Sequence, residues 1–210
     1  MSDTALLPGF AADEPRTRVI LDDAARGCRV TYEPAFLSPT EASAWMERLR
    51  ALPFVTEAPV MFGKPMPVRR QSCGIGEPGA RYRYTGLERV ASPWPEGFDL
   101  ILERLRERTG QRFNFALCNL YPDGDAGLGW HADDEDDLTR DAPIASLSLG
   151  ATRDFAMRLG SHGKACLVVA LEPGSLLVMG GATQRHYQHR VPPRTRCTEA
   201  RINLTFRVMR

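Results

Sequence analysis

At residues 144–150 the chain reads IASLSLG, one of six short apolar runs that occupy it from residue 113 onward. The other five are FNFALCNLY (113–121), DFAMRL (154–159), ACLVVAL (165–171), SLLVMG (175–180) and ARINLTFRV (200–208). Each run has the length of a strand, and Gly, Pro or Asp residues lie between successive runs. This spacing predicts a β-sandwich or barrel, and among these we favour a jelly roll, the double-stranded β-helix.

Two helices are predicted ahead of these strands. The first covers about 40–51, where Ser38 or Thr40 provides a cap and apolar residues recur at helical spacing. The second covers about 95–109, because Pro95 suits a first helical turn and Gly110 suits a C-terminus. The expected fold class is α+β, mainly β, with N-terminal helices packed on the sheet.

The composition favours one ordinary folded domain. The chain has 210 residues, is 43% hydrophobic and 25% charged, and carries a formal net charge of +1. We expect a flexible lead segment at 1–17 and a single domain at 18–210, acting as a monomer without membrane contact. The five cysteines are odd in number and form no CxxC pair, so neither a disulfide framework nor a zinc knuckle is predicted. The N-terminus lacks a signal-peptide pattern and no apolar run is long enough to span a membrane, so we expect a reducing cytoplasm.

A candidate metal site begins at Trp130-His131-Ala132-Asp133. His131 and Asp133 are two residues apart, so on a strand both side chains point to the same face. The chain has three other histidines, and His162 lies in a predicted turn, which leaves His186 and His189 as the third ligand. Two histidines and one carboxylate on a β scaffold are typical of non-haem iron(II) oxygenases. Taken alone, the HxD pair is more often a surface coincidence.

A candidate co-substrate site lies in the run 201–207, RINLTFR. Its period of two places Arg201, Asn203 and Arg207 on one strand face and the apolar residues on the other. Inside a barrel that polar face lines a pocket, and a guanidinium suits a carboxylate. The backbones of the two arginines lie roughly 20 Å apart on a straight strand. We therefore expect them to bind different groups.

Together, CNLY at 118–121, the HxD at 131–133, the later histidine and RINLTFR resemble the AlkB family of iron(II)- and 2-oxoglutarate-dependent nucleic-acid dealkylases. The resemblance covers about 55–210, with a nucleotide-recognition region at 55–90 and the catalytic jelly roll at 113–210. It implies an iron(II) site and three groups of functional side chains. By resemblance, the metal ligands are His131, Asp133 and His189, the last preferred to His186 because Val191-Pro192 follows it; the 2-oxoglutarate contacts are Asn119, Tyr121, Arg201, Asn203 and Arg207; and the substrate contacts are Phe62, Arg69, Tyr82, Tyr84, Asp134 and Glu135.

The resemblance also implies separate roles for these groups. Arg201 binds the distal carboxylate of 2-oxoglutarate, whereas Arg207 lies near its metal-chelating end. Residues 60–85 carry five basic residues against one acid, which favours phosphate binding, although a solvated hairpin gives the same pattern. Tyr82 and Tyr84 cover a base or fill the core, and Phe62 is a wedge between bases or a core residue. Asp134 or Glu135 contacts the exocyclic amino group of a cationic methylated base and accepts a hydrogen bond from it.

The implied reaction is oxidative demethylation of 1-methyladenine and 3-methylcytosine in DNA. It consumes O2 and 2-oxoglutarate and releases formaldehyde, succinate and CO2. DNA and RNA are both open as substrates, as are single strands and duplexes. The alternatives are a dioxygenase acting on an RNA modification, a protein or a small molecule, and a jelly-roll binding module without catalysis.

Overall fold

The computed structural model describes residues 17–56, 60–61, 64–65, 68–84 and 87–210. It describes backbone alone at 60–61, 64–65, 83–84 and 87–89. The flexible lead segment expected at 1–17 lies outside the described residues except for Thr17. No helix among the described residues is long and apolar enough to cross a membrane.

The α-helices of the described chain are α1 (Pro39–Leu49), α2 (Asp99–Thr109) and the single turn α3 (Thr183–His186), and a 3-10 helix at Ala24–Arg26 joins the first two strands. A capping box begins α1: the Ser38 hydroxyl accepts from the Glu41 backbone N–H, and the Glu41 carboxylate accepts from the Ser38 N–H at 2.7 Å. Gly110 ends α2 in the left-handed conformation, with φ at 68°. The predicted start of α2 at Pro95 was wrong, because Gly97, at φ 72°, interrupts the chain before the helix begins.

The strands form two main sheets and two small hairpins. In chain order they are β1 (Arg18–Asp23), β2 (Cys28–Glu33), β3 (Val55–Thr56), β4 (Val60–Met61), β5 (Lys64–Pro65), β6 (Gln71–Gly76), β7 (Arg81–Tyr84), β8 (Leu87–Val90), β9 (Ser92–Pro93), β10 (Phe115–Tyr121), β11 (Leu128–His131), β12 (Ile144–Gly150), β13 (Arg153–Leu159), β14 (Leu167–Leu171), β15 (Leu176–Gly181), β16 (Tyr187–Val191) and β17 (Arg201–Arg207).

The large sheet has the order β1-β2-β15-β12-β17-β10-β6-β3, and β9 pairs with β6 at its side. The small sheet has the order β11-β16-β13-β14, while β4-β5 and β7-β8 are separate hairpins. Neighbouring strands in both main sheets are antiparallel, and only β9 runs parallel to its partner. The fold is the mainly β jelly roll that the sequence predicted, with β1 and β2 added to the large sheet at one edge.

The large sheet separates two apolar cores. On one face, Ile202, Leu204 and Phe206 of β17 pack in a core that also contains the buried residues of α1 and α2. The second core lies against the small sheet and contains Phe155 and Met157 of β13. Full burial of a side chain such as Phe206 stabilises the fold by roughly 1.5–3 kcal/mol. The polar residues of β17 therefore face the space between the two sheets.

Candidate metal and co-substrate site

Three candidate metal ligands meet where the small sheet pairs β11 with β16. His131 is the last residue of β11, and its register partner is His189 at the centre of β16. Asp133 follows two residues after His131, and its carboxylate oxygens lie 3.9 Å from His131 Nε2 and 3.8 Å from His189 Nε2. One candidate ligand atom from each residue lies within 4.8 Å of the other two. The pairing of β11 with β16 thus brings the His131–Asp133 motif next to His189, which lies 56 positions after Asp133. Nothing in the sequence indicated the register of this pairing.

Neighbouring groups orient these ligands. The His131 ring nitrogen Nδ1 lies 2.9 Å from the Gly129 carbonyl, and this contact orients the ring with Nε2 toward Asp133. The backbone N–H of Asp133 donates to the Gln184 side-chain oxygen at 3.0 Å. The Phe155 ring stacks on His189 at 5.3 Å between ring centroids. All three ligands are therefore held before any ion binds.

The charges at this cluster also favour a cation. Burial and the neighbouring His131 lower the pKa of His189 to about 3, which keeps its imidazole neutral. Burial alone raises the pKa of Asp133, but the charge and hydrogen bond of Arg207 hold it well below the usual range. Arg207 donates to Asp133 Oδ1 at 2.7 Å. The site thus presents two imidazole nitrogens and one ionised carboxylate, the donor set of a facial triad.

A second polar group lies in the same cavity as the triad. Arg201 is fully buried and donates one hydrogen bond, to the Ser148 hydroxyl at 3.0 Å. Its Nε and its other terminal nitrogen have no hydrogen-bond partner among the described residues. Burial lowers the pKa of Arg201, and its guanidinium carbon lies 5.1 Å from the Tyr121 ring centroid. A buried guanidinium with unused donors indicates a site for an anion.

Asn119 and Asn203 are register partners on β10 and β17, and both line this cavity. The Asn119 side-chain oxygen is buried without a partner in the described chain. The Asn203 amide donates to the Ser146 hydroxyl at 2.8 Å and to the Leu147 carbonyl at 3.0 Å. Asn203 therefore braces the wall formed by β12, while Asn119 keeps an unused polar atom inside the cavity.

Arg207 connects the metal cluster to the predicted substrate side. Its guanidinium carbon lies 4.6 Å from the ring centroid of Tyr82, and the Tyr82 hydroxyl donates to Glu135 at 2.7 Å. Burial and the charge of Asp133 raise the pKa of Glu135, which has a second carboxylate oxygen buried without a partner. Tyr82 is only 1% exposed, so its ring is part of the buried core. Its hydroxyl is the group that contacts Glu135.

The remaining predicted substrate residues lie apart from this network. Asp134 is exposed next to the metal loop, and Arg69 is exposed and paired with Asp123 at 2.7 Å. Phe62 lies outside the described residues. The backbone of Tyr84 belongs to β7, but its side chain lies outside the described part of the structure.

The other two histidines lie outside the ligand cluster. His162 is exposed between β13 and β14, in the turn that the sequence predicted. His186, the less preferred candidate ligand, ends α3, and β16 begins at Tyr187. The single helical turn between β15 and β16 was not visible as a periodic pattern because it is only four residues long.

The comparisons with known proteins agree with this geometry. The 2OG-Fe(II) oxygenase superfamily matches residues 29–207. DNA oxidative demethylase ALKBH2 of Mus musculus is 41% identical over 154 residues, covering 70% of this chain and 64% of that protein. The chain belongs to the AlkB family of 2OG-Fe(II) oxygenases.

Other AlkB-family proteins extend the similarity. The alpha-ketoglutarate-dependent dioxygenase alkB homolog 3 of Rattus norvegicus is 37% identical over 191 residues, covering 86% of this chain and 64% of that protein. The solved structure described as "The structure of OsALKBH1" aligns with a TM-score of 0.64 at 21% identity, covering 85% of this chain and 97% of that one, which shows the shared fold. The chain spans less than two thirds of the length of the first curated relatives that it matches.

Membership of the AlkB family implies Fe(II) as the metal, with 2-oxoglutarate and O2 as co-substrates. The side chains present fit these groups. The His-Asp-His cluster leaves coordination positions open for a chelating 2-oxo acid, and Arg201 has unused donors for its far carboxylate. The cavity that contains both ends is lined mainly by β10, β11, β16 and β17.

The structure adds site residues that the sequence reasoning did not single out. Ser146 and Ser148 of β12 bind Asn203 and Arg201, and their period-two spacing inside an apolar run was a signal for a polar face. Gln184 reaches Asp133 from α3, and no pattern in the sequence marked it. Arg153 is fully buried and donates to the carbonyls of four residues in two loops beside the cavity.

Proposed function

We propose that this protein is a DNA oxidative demethylase that removes N-methyl groups from damaged bases such as 1-methyladenine and 3-methylcytosine. One methylated base, one O2 and one 2-oxoglutarate yield the unmethylated base, formaldehyde, succinate and CO2. One oxygen atom enters the methyl group and the other enters succinate. The resulting N-hydroxymethyl adduct breaks at its C–N bond, which releases formaldehyde.

The observation that carries the proposal is the shared cavity of the His131–Asp133–His189 cluster and Arg201. A 2-oxo dicarboxylate has a chelating end and a distal carboxylate, and these match the triad and the unused guanidinium donors respectively. Iron supplies the oxidising chemistry when it is bound. The chain supplies the orientation of its ligands and a cavity between two sheets.

The substrate class is proposed from the network beside the metal and from the relatives. Glu135 has an unpartnered carboxylate oxygen close to Tyr82 and Arg207, a position suited to the amino group of a base. A carboxylate near a methylated base also favours the positive charge that methylation creates on adenine N1 or cytosine N3. The relatives in mouse and cattle are named DNA oxidative demethylases, which supports DNA as the polymer.

The proposal extends to the roles of individual residues. We assign His131, Asp133 and His189 as the iron ligands; Asn119, Tyr121, Arg201, Asn203 and Arg207 as the 2-oxoglutarate side; and Phe62, Arg69, Tyr82, Tyr84, Asp134 and Glu135 as the substrate side. Arg207 keeps Asp133 ionised through their 2.7 Å contact. Because Arg207 also covers the Tyr82 ring, it fixes the position of the proposed base-binding residue Tyr82 relative to the metal ligand Asp133.

The test is a demethylation assay on oligonucleotides carrying 3-methylcytosine. The purified protein receives Fe(II) and 2-oxoglutarate without oxygen, then air and either a single strand or a duplex. Mass spectrometry measures the loss of one methyl group, and a separate assay measures succinate. Equal amounts of both products support the proposal. Succinate without methyl loss means that the enzyme oxidises another class of substrate.

A matched pair of variants tests the metal assignment. Asp133→Ala removes a buried ligand, whereas Asp22→Ala removes an exposed carboxylate on β1. We expect Asp133→Ala to lose iron-dependent turnover and Asp22→Ala to keep it, with both proteins retaining the β-rich circular dichroism spectrum. Turnover retained by Asp133→Ala refutes the triad.

We also propose that the protein works in the cytoplasm as a monomer. All five cysteines are unpaired, which supports a reducing compartment. Light scattering on the purified protein at several concentrations tests the monomer: a mass that stays at 23.3 kDa supports it, and a concentration-dependent doubling contradicts it.

A further inference from the structure

Two arginines lie near Trp130 on the outer face of the small sheet: Arg190 on the neighbouring strand β16, and Arg158 on β13, one strand further away. The guanidinium carbon of Arg158, from β13, lies 4.5 Å from the Trp130 ring centroid, and that of Arg190, from β16, lies 4.6 Å from it. We call these three residues the Trp130 cluster. Each of them directly follows or precedes a residue that faces the inside of the fold: His131, Met157 and His189. Since neighbours on a strand point to opposite faces, the cluster faces outward.

The cluster carries positive charge that the described chain does not neutralise. Arg158 donates two hydrogen bonds to the Gln188 side-chain oxygen, at 3.3 and 2.8 Å, and that oxygen carries no net charge. Arg190 has an Nε atom that is buried without a hydrogen-bond partner. Neither arginine lies within 4.0 Å of a carboxylate of the described residues. Asp154, on the same face of β13 as Arg158, is roughly 13 Å away along the strand.

Two guanidinium groups beside one ring repel each other unless an anion binds between or beside them. The Trp130 ring lowers this repulsion through cation–π contacts and holds both groups in a fixed orientation. An arginine fork held in this way suits phosphate oxygens, since less side-chain entropy is lost when they bind. The cluster therefore has the properties of a preformed site for an anionic polymer rather than for a cation or an apolar partner.

The position of the cluster links this anion to the active site. Trp130 precedes the metal ligand His131, so their Cα atoms are about 3.8 Å apart. Because β11 is an edge strand of the small sheet, a nucleic-acid strand whose base lies at the metal can continue around this edge to the outer face. We propose that the Trp130 cluster binds the phosphodiester backbone of the substrate next to the target nucleotide. This inference rests on the proposed function, because it takes DNA as the substrate.

Such a contact gives the enzyme preference for polymer over mononucleotide. Phosphate contacts position a strand without reading its sequence, and each releases counterions when it forms. The Trp130 cluster then increases the affinity for the strand and fixes the position of the strand on the enzyme. The triad still binds the metal, and Glu135 still contacts the base. Loss of the cluster should weaken strand binding and leave the chemical step intact.

The experiment compares Arg190→Gln and Arg158→Gln with a control variant, Arg106→Gln. Arg106 lies on α2, in the helical layer on the far side of the large sheet. The dissociation constant of a fluorescent 3-methylcytosine 15-mer is measured from 50 to 200 mM salt. We expect each cluster variant to bind about tenfold more weakly at low salt, and to reduce the slope of log Kd against log salt by about one. The control should match the wild-type protein.

Kinetics distinguish this role from a general loss of structure. In both cluster variants, kcat on the 15-mer should stay within about twofold of wild type, and so should the turnover of 2-oxoglutarate in the absence of DNA. KM for the 15-mer should rise, whereas KM for a trinucleotide should rise much less. Arg190→Lys keeps the charge but not the fork, so we expect it to recover part of the binding. An unchanged salt slope in both glutamine variants overturns the inference. If the wild-type protein demethylates no oligonucleotide, the proposed function fails instead, and the salt slope still reports whether the cluster binds the strand.

Discussion

Arg201→Gln is the substitution whose effect follows most directly from the geometry of the cavity. Arg201 is fully buried, uses one donor on Ser148, and has its Nε and a terminal nitrogen unpartnered in the described structure. If those two donors bind the distal carboxylate of 2-oxoglutarate, the wild-type contact is bidentate and charge-assisted. Glutamine is shorter and neutral, so the substitution removes the charge and at least one of the two bonds.

The expected size of the effect follows from those two bonds. A hydrogen bond to a charged group contributes about 1.5–3 kcal/mol, and glutamine retains one weaker donor, so we expect a loss of about 2–3 kcal/mol. This corresponds to a rise of roughly 30- to 150-fold in KM for 2-oxoglutarate. At saturating 2-oxoglutarate, kcat should stay within about threefold of wild type, because Arg201 touches neither the metal ligands nor Glu135.

The assay measures initial succinate or decarboxylation rates with 2-oxoglutarate and with 2-oxopentanoate, which has a methyl group in place of the distal carboxylate. Wild-type protein should have a much lower KM for 2-oxoglutarate than for 2-oxopentanoate, and this difference should be small in Arg201→Gln. The comparison isolates the interaction between Arg201 and the distal carboxylate. Circular dichroism and thermal unfolding confirm that the variant is folded. The same KM for 2-oxoglutarate in both proteins, or equal discrimination, would refute the assignment of Arg201.

Three further predictions concern neighbouring groups. Ser148→Ala should raise KM for 2-oxoglutarate by about threefold to tenfold, because the Arg201 guanidinium loses its hydrogen bond to the Ser148 hydroxyl; an unchanged KM means that this hydrogen bond does not orient Arg201. Glu135→Gln should lower kcat/KM for 3-methylcytosine about tenfold, with less effect on a neutral methylated base, since a negative charge beside the base is removed; equal losses on both bases contradict this. Phe206→Ala should lower the free energy of unfolding by about 3–5 kcal/mol in urea titrations; a loss below about 1 kcal/mol contradicts its placement in the core.

Local patterns predicted those parts of the site that lie on a single strand. The two-residue spacing of His131 and Asp133, and the alternation in 201–207, depend only on the geometry of an extended chain. The separation of six residues along β17 explains why Arg201 and Arg207 reach different groups, Ser148 and Asp133 respectively. Sequence also predicted α1 accurately, because its capping box is formed within four residues.

Long-range contacts could not be predicted in this way. Whether the polar face of β17 meets water or a cavity depends on the small sheet, whose strands come from 128–191. The register that pairs His131 with His189 likewise depends on how two distant strands align. The Gln184 contact to Asp133 arises from one helical turn, and the β1–β2 hairpin joins the large sheet through β15. None of these arrangements has a periodic signal of its own.

The buried strand β17 restricts how this protein can change over time. A shift of one residue in its pairing would turn Ile202, Leu204 and Phe206 toward the cavity and place Arg201 under the helices. A single substitution on β17 alters one side chain, but an insertion or deletion within it would exchange the entire lining of the co-substrate site for its apolar packing. Changes in length are therefore expected to accumulate in connections such as 160–164, where the exposed chain joins β13 to β14.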